Sequence, residues 1–374
     1  MKRLIAVVLL VAVLGTALSI NAQQGGAKPL PPAPKSFFGI GPQESFTPED
    51  LEYMKAGGIG SIRLAISWAA IQPTATGGYV WSAMDPVMEE IARSGLEVLP
   101  FLYQTPRWLA PNWRTLPVAT ARQRQAWTEF LTAIAKRYGP GGEFWAEHSP
   151  TGVQYQTAIP EPTPIRSWQI WNEANFHYFA APVSPSRYAK LVSISAPAIK
   201  SVNPGAKVIL TGLFGHPPAG GNRGIDATDF LAALYRRPGI KASFDGVALH
   251  PYAVDAETLE EMVEEIHEVM LENHDHPGLY LTELGWGSQN DFNQVAYEQG
   301  IRGQVKQLRD SYSFLLENRR RLNIKAAYWF SWKDLAGSCN FCDSVGLFHR
   351  GAKFRPKPAW HAFVSLTGGR ARPY

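Results

Sequence analysis

Eight short apolar runs, each followed by a stretch with helical spacing, constrain this chain more than any other feature. The runs occupy residues 37–41, 59–67, 96–103, 165–171, 206–213, 244–250, 279–284 and 324–331. They are near-continuously apolar and rich in β-branched residues, the pattern of strands covered on both faces of a parallel sheet. Several of the intervening segments announce their own ends. Thr47-Pro48-Glu49-Asp50 supplies an N-cap, a proline at the first helical position and acids in the first turn, and Gly57-Gly58 stops that helix. An amphipathic stretch at 119–138 ends at Gly139, and Ser184-Pro185 opens another that runs to Val202. Helices are predicted over 257–272, 294–322 and 358–366 as well.

Eight strands, each followed by a helix, is the count of a (β/α)8 TIM barrel. An open doubly wound sheet shares the alternation. No G-x-G-x-x-G follows the first strand, which disfavours a dinucleotide-binding sheet. The expected fold is therefore α/β, a (β/α)8 barrel in a single domain over 37–367, with a short tail at 368–374. Hydrophobic residues at 45% and charged residues at 18% permit a core of that size.

Met1-Lys2-Arg3, an apolar run and Ser19-Ile20-Asn21-Ala22 read as a signal peptide over 1–22. The run is shorter than the roughly 20 residues that a bilayer span needs. Residues 23–36 are rich in Gly, Pro and Ala and read as a flexible leader. The expectation is an exported protein, secreted or held in the cell envelope, monomeric, with no membrane contact after cleavage. The net charge of +4 falls to +2 without Lys2 and Arg3, and no long basic run remains. Charge thus gives no support to a nucleic-acid partner. Cys339 and Cys342, spaced C-x-x-C, are the two cysteines. Two thiols cannot complete a four-ligand zinc site, and in an exported chain they read as a local disulfide.

Barrel enzymes take their catalytic groups from the C-terminal ends of the strands. Here those ends carry Arg63 and Trp68, Tyr103-Gln104, Trp171-Asn172-Glu173, His250-Pro251-Tyr252, Thr282-Glu283 and Phe330-Ser331-Trp332. Glu173 and Glu283 lie on strands that face each other across a barrel. Two facing carboxylates are what glycosidic bond cleavage requires, one to protonate the departing oxygen and one to attack or to activate water. The 12 Trp residues suit a flat-faced ligand such as a sugar.

Trp168-Gln169-Ile170-Trp171-Asn172-Glu173 resembles the Asn-Glu signature of the clan A glycoside hydrolases, the 4/7 superfamily. Leu281-Thr282-Glu283-Leu284-Gly285-Trp286 resembles the nucleophile strand of that clan, and Leu249-His250-Pro251-Tyr252 and Trp332 match in order and place. The resemblance covers about 37–366 and is nearest to family 39-like and family 5-like enzymes. It implies Glu173 as general acid/base and Glu283 as nucleophile of a retaining O-glycosyl hydrolase acting on an oligo- or polysaccharide. It further implies that Asn172 binds the sugar 2-hydroxyl, Tyr252 holds Glu283 and Arg63 keeps Glu283 ionised. His250 would line the pocket and Trp332 would form the floor under the sugar. Trp68 joins the expected substrate-binding set. Ala174 departs from the proline that many members carry there, which should shift the loop slightly.

No metal and no cofactor are expected. A transglycosylase with the same residues, or a carbohydrate-binding barrel without activity, are the alternatives. His274-Asp275-His276 lies before the seventh strand, away from the expected mouth, and reads as a polar turn.

Overall fold

The eight predicted strands all form, and they close on themselves. In this computed structural model they are β1 (Phe38–Ile40), β2 (Ser61–Ser67), β3 (Glu97–Tyr103), β4 (Ser167–Ile170), β5 (Lys207–Phe214), β6 (Gly246–His250), β7 (Gly278–Leu284) and β8 (Ile324–Trp329). Each pairs in parallel with its sequence neighbour, and β1 pairs with β8 to complete the barrel. The structure describes residues 30–149, 158–159, 161–218, 223–291, 296–337, 339–351 and 355–373. The signal peptide and most of the expected leader lie outside the described residues. Residues Pro31–Tyr374 form one compact unit. Among the described residues no helix is long and apolar enough to cross a membrane.

Ten helices are present among the described residues: α1 (Pro48–Ala56), α2 (Trp68–Ile71), α3 (Asp85–Ser94), α4 (Ala121–Tyr138), α5 (Glu143–Glu147), α6 (Pro185–Val202), α7 (Ala227–Tyr235), α8 (Ala256–Glu272), α9 (Gly300–Asn318) and α10 (Pro358–Thr367). Their starts follow local chemistry. Thr47 and Thr120 each form a reciprocal capping box, with Asp50 and Gln123 respectively. Ser184 and Asp255 cap α6 and α8 by accepting from backbone amides three residues on. The stretch predicted to be helical over 294–322 is helix over Gly300–Asn318, and residues 292–295 lie outside the described residues. Before the helix the backbone is already paired: the Gly287 amide donates to the Tyr297 carbonyl, and the Gln299 amide donates to the Gly287 carbonyl.

Inside the barrel the lower layer is apolar. Leu99, Ile209, Ala248, Tyr280, Ala326 and Tyr328 form a buried cluster drawn from five strands. Layered side chains of this kind fill a barrel and leave its open end for chemistry. Gly39 admits the Tyr328 ring, since a Cβ there would stand 2.2 Å from it. The strands also carry polar residues in their buried interiors: Arg63, Gln169, Thr211 and Thr282 are at most 2% exposed. Buried polar groups must find partners: Gln169 bonds both Arg63 and Thr282, and Thr211 accepts from the Ala174 amide.

Candidate active site

Arg63, in the middle of β2, is the hub. All three guanidinium nitrogens donate: Nε to Gln169 Oε1 at 2.8 Å, Nη1 to Glu283 Oε1 at 2.6 Å and Nη2 to Asn172 Oδ1 at 2.6 Å. The guanidinium lies over the Phe101 ring, 4.1 Å from its centroid. A planar fork with a fixed stacking surface is what arginine offers and lysine does not.

Glu283 sits near the end of β7 and receives a second hydrogen bond, from the Tyr252 hydroxyl to Oε2 at 2.7 Å. Glu173 follows β4 and is 5% exposed. Its backbone has φ 37°, and Trp171 two residues earlier has φ 70°. Left-handed conformations are costly for such residues and are held only where surrounding contacts over-determine them. The contacts are evident: the Trp171 indole donates to the Phe179 carbonyl, and the Ala174 amide donates to Thr211 Oγ1. Together they turn the chain so that the Glu173 carboxyl enters the barrel mouth.

His250 closes the group from β6. Its Nδ1 is 2.8 Å from Glu173 Oε1, and its Nε2 is 2.9 Å from Thr282 Oγ1. The imidazole fits because residue 212 on β5 is glycine. A Cβ at that point would lie 2.0 Å from Nε2.

Burial and neighbouring charges act on Glu173, His250 and Tyr252. Burial, then the negative charge of Glu283, push the Glu173 carboxyl well above the usual carboxylate range, against the pull of Arg63. Burial and the Arg63 charge push His250 well below the usual histidine range, so the imidazole is neutral. Burial and Glu283 raise the Tyr252 phenol, which stays a hydrogen-bond donor. Glu283 has the Arg63 guanidinium in direct contact. One donor atom each from Glu173, His250 and Glu283 lie within 4.8 Å of one another, the one such acid and histidine group among the described residues. The guanidinium bonded to Glu283 already supplies the positive charge that a cation would bring there.

Of the residues expected from the sequence, Glu173, Glu283, Arg63, Asn172, His250 and Tyr252 converge in this group. Trp68 and Trp332 do not. Trp68 is fully buried at the start of α2, where it packs against Trp127, Phe130 and Trp108 and donates to Gln72. It fills the space between barrel and helices. Trp332 is 2% exposed; its indole donates to Asp50 of α1, and its ring packs on Phe348 and Trp360. Its face is covered by protein and offers no floor to a sugar. The aromatic that follows β8 directly is Phe330, whose ring lies 6.1 Å from that of Tyr252, the residue that donates to Glu283.

Cys339 and Cys342 form the expected disulfide. Cys342 packs in the cluster of Tyr252, Phe330, Phe341 and Val345, so the bridge orders the wall next to Tyr252. His274 and Asp275 form a turn before β7, where Asp275 accepts from Tyr235, and no acid and histidine cluster forms there among the described residues.

Two strings of rings lead outward from the group. On one side Phe101, Tyr103 and Trp113 follow one another at 5.0 and 6.3 Å, and Trp113 is 36% exposed. On the other, Tyr252, Phe214, Phe176 and Tyr178 follow at 6.0, 5.1 and 5.1 Å, and Tyr178 is 61% exposed.

Comparison with known proteins agrees with the resemblance seen in the motifs. Residues 41–142 match the family model described as Glyco_hydro_42, β-galactosidase. No curated protein sequence matches the chain. Among solved structures it is similar to a family 39 glycoside hydrolase from the gut symbiont Bacteroides cellulosilyticus WH2, with 18% identity and a TM-score of 0.61 over 90% of this chain and 65% of that one. It is similar to a monomeric β-xylosidase from Caulobacter crescentus CB15, with 17% identity and a TM-score of 0.60 over 90% of this chain and 69% of that one. An exo-β-1,4-mannosidase from Opitutaceae bacterium strain TAV5 gives 16% identity and 0.59 over 88% and 59%. The chain thus spans about two thirds of the length of these structures or less. What these structures show of this chain is its fold, the (β/α)8 barrel.

Proposed function

We propose that this chain is a retaining β-glycosidase, exported, acting on an oligo- or polysaccharide by double displacement. The observation that carries the reading is the pair of carboxylates with unlike surroundings: oxygens of Glu173 and Glu283 within 4.8 Å, one acid raised by burial and the other held by Arg63 and Tyr252. Retaining enzymes place their carboxyl groups about 5–5.5 Å apart, whereas inverting enzymes leave room for a water.

In the first step Glu283 attacks the anomeric carbon while Glu173 gives its proton to the departing oxygen. The bond to the leaving group breaks as the bond to Glu283 forms. In the second step Glu173, now a carboxylate, takes a proton from water, which attacks the same carbon and releases Glu283. Asn172, oriented by Arg63, is placed to bind the sugar hydroxyl next to the anomeric carbon. Tyr178 lies in the loop that follows Glu173, Trp113 packs on Phe179 of the same loop, and the acid stands on the leaving-group side of the bond. Sugars beyond the cleaved bond would therefore stack there, as flat apolar ring faces favour.

The test is a panel of aryl β-xylosides, mannosides, glucosides and galactosides with matching polysaccharides, followed by early proton NMR of the product. Retention of the anomeric configuration is expected. First release of the opposite anomer would make Glu283 a base and overturn the mechanism, and no turnover across the panel would remove the substrate class.

A further inference from the structure

We infer that Gln169 and Thr282 are positioning residues that lock the tautomer of His250, so that Nδ1–H donates to Glu173 Oε1 and the acid proton of Glu173 is carried on Oε2. The inference deepens the proposed function and rests on its reading of Glu173 as the acid/base.

One group in the network can only donate. Arg63 has no acceptor atom. The Gln169 atom facing Arg63 Nε at 2.8 Å is therefore the carbonyl oxygen, which fixes the amide. Its Nε2 then donates twice, to the Leu210 carbonyl at 3.2 Å and to Thr282 Oγ1 at 3.3 Å. Leu210 offers a carbonyl there, an acceptor only, which supports the same orientation. A threonine hydroxyl can accept twice but carries one proton that must also be placed. Among the described residues the oxygen of buried Thr282 has two partners, the donating Gln169 amide and His250 Nε2 at 2.9 Å, so a buried proton left unpaired is avoided when the hydroxyl donates to Nε2. Nε2 must accept, so the proton of the neutral imidazole sits on Nδ1. That nitrogen faces Glu173 Oε1 at 2.8 Å. Gln169, Thr282 and His250 are all fully buried, so no water competes for these bonds.

The lock has a chemical consequence. With Nδ1–H aimed at Oε1, a protonated Glu173 must hold its proton on Oε2, the oxygen free to meet the leaving group. With the other tautomer, the Nδ1 lone pair would take the Glu173 proton into an O–H···N bond and keep it from the substrate. The same donation stabilises the Glu173 carboxylate, which the second step needs as a base. The charged and titratable groups that face this pair are Arg63 from β2, Glu283 from β7 and Tyr252 after β6.

Thr282→Val removes the hydroxyl and keeps the shape, and Thr282→Ser restores the hydroxyl. The first readout is the imidazole 15N spectrum of histidine-labelled protein, with the His250 signal identified by its loss in His250→Gln. Wild type and Thr282→Ser are expected to show a neutral ring protonated on Nδ1. Thr282→Val is expected to lose that fixed state and show a mixture. A wild-type proton on Nε2, or an unchanged tautomer in Thr282→Val, overturns the inference. Because the wild-type spectrum alone can overturn it, the test survives a variant that does not fold.

The second readout is kinetic. In Thr282→Val the basic limb of kcat/KM should move up by about one pH unit, since a hydrogen bond to the carboxylate has been weakened. For activated aryl glycosides, whose second step limits turnover, kcat should fall roughly 10-fold while kcat/KM below the limb stays within about 3-fold. Thr282→Ser should recover both, and a profile in Thr282→Val that matches wild type overturns the inference. The spectrum needs no turnover. A protein inactive on every glycoside but with the expected tautomer sinks the functional reading and leaves the lock standing.

Discussion

Two arginines of this molecule each stand among acids, and the two groups have opposite consequences. Arg137 of α4, in the helical layer, holds Asp85 bidentately at 2.9 and 2.6 Å and reaches Glu147 at 3.0 Å. Side chains of Asp85 and Glu147 are 22% and 34% exposed. Arg63 meets Glu283 at 2.6 Å, with side chains 1% and 9% exposed, and Glu173 stands nearby with no bond to it. In the helical layer water shares the excess negative charge, so the cluster ties α3, α4 and α5 together. In the barrel mouth water is excluded, and one proton must enter to balance the charge. Pairing is common to both; burial makes only the second an acid.

The largest expected effect removes the partner of Arg63. Glu283→Gln should lower turnover by at least about 10⁴-fold, as loss of a nucleophile does elsewhere, while circular dichroism and melting stay near wild type. Ordinary activity in this variant would make the mouth no different in kind from the Arg137 cluster.

Glu173→Ala should cost about 10²- to 10⁴-fold on substrates with poor leaving groups and far less on activated ones. Azide, which needs no general base, should then raise the rate. No azide response on an activated substrate would show that Glu173 is not the acid/base.

Stability offers a direct comparison. Arg63→Met strands Glu283 in a dry site and should cost about 3–5 kcal/mol in urea unfolding. Arg137→Met leaves its acids in reach of water and should cost nearer ~1 kcal/mol. Equal losses would mean that solvation does not distinguish the two groups.

The smallest effect is a pH dependence. The carboxyl of Glu173 is raised in the folded chain above its ordinary value of 4.5. A raised group gives its stability below the unfolded value and loses it as pH climbs through the folded one. Glu173→Gln, permanently neutral, should therefore melt with wild type near pH 4 and roughly 2 °C above it at neutral and alkaline pH. A melting difference that does not change with pH would place Glu173 outside a dry site.

The strands and most helices were legible because near-continuous apolar runs and capping residues carry their own physics. Glu173 and Glu283 were legible as polar strand ends opposite one another in a barrel. Trp68 and Trp332 misled because a tryptophan at a strand end fits either a ligand or the helix layer, and only the partners decide: Trp127 and Phe130 for one, Asp50 and Trp360 for the other. Thr282 stands among the polar strand ends and Gln169 inside β4, yet neither has a role readable from the sequence, because their partners are other side chains and not a ligand. The sequence does carry the requirement: a polar residue inside a strand with two covered faces has to be satisfied by another.

The close fit of His250 against Gly212 has a further meaning for any chain built on this plan. With a Cβ at 212 standing 2.0 Å from the ring, alanine and histidine cannot both occupy these places. No descendant or design can gain a side chain at 212 and keep the histidine where it stands. A lone methyl, in a strand that bears no reacting group, is thus among the smallest lesions able to silence the barrel, and an alanine scan would pass over it at its peril.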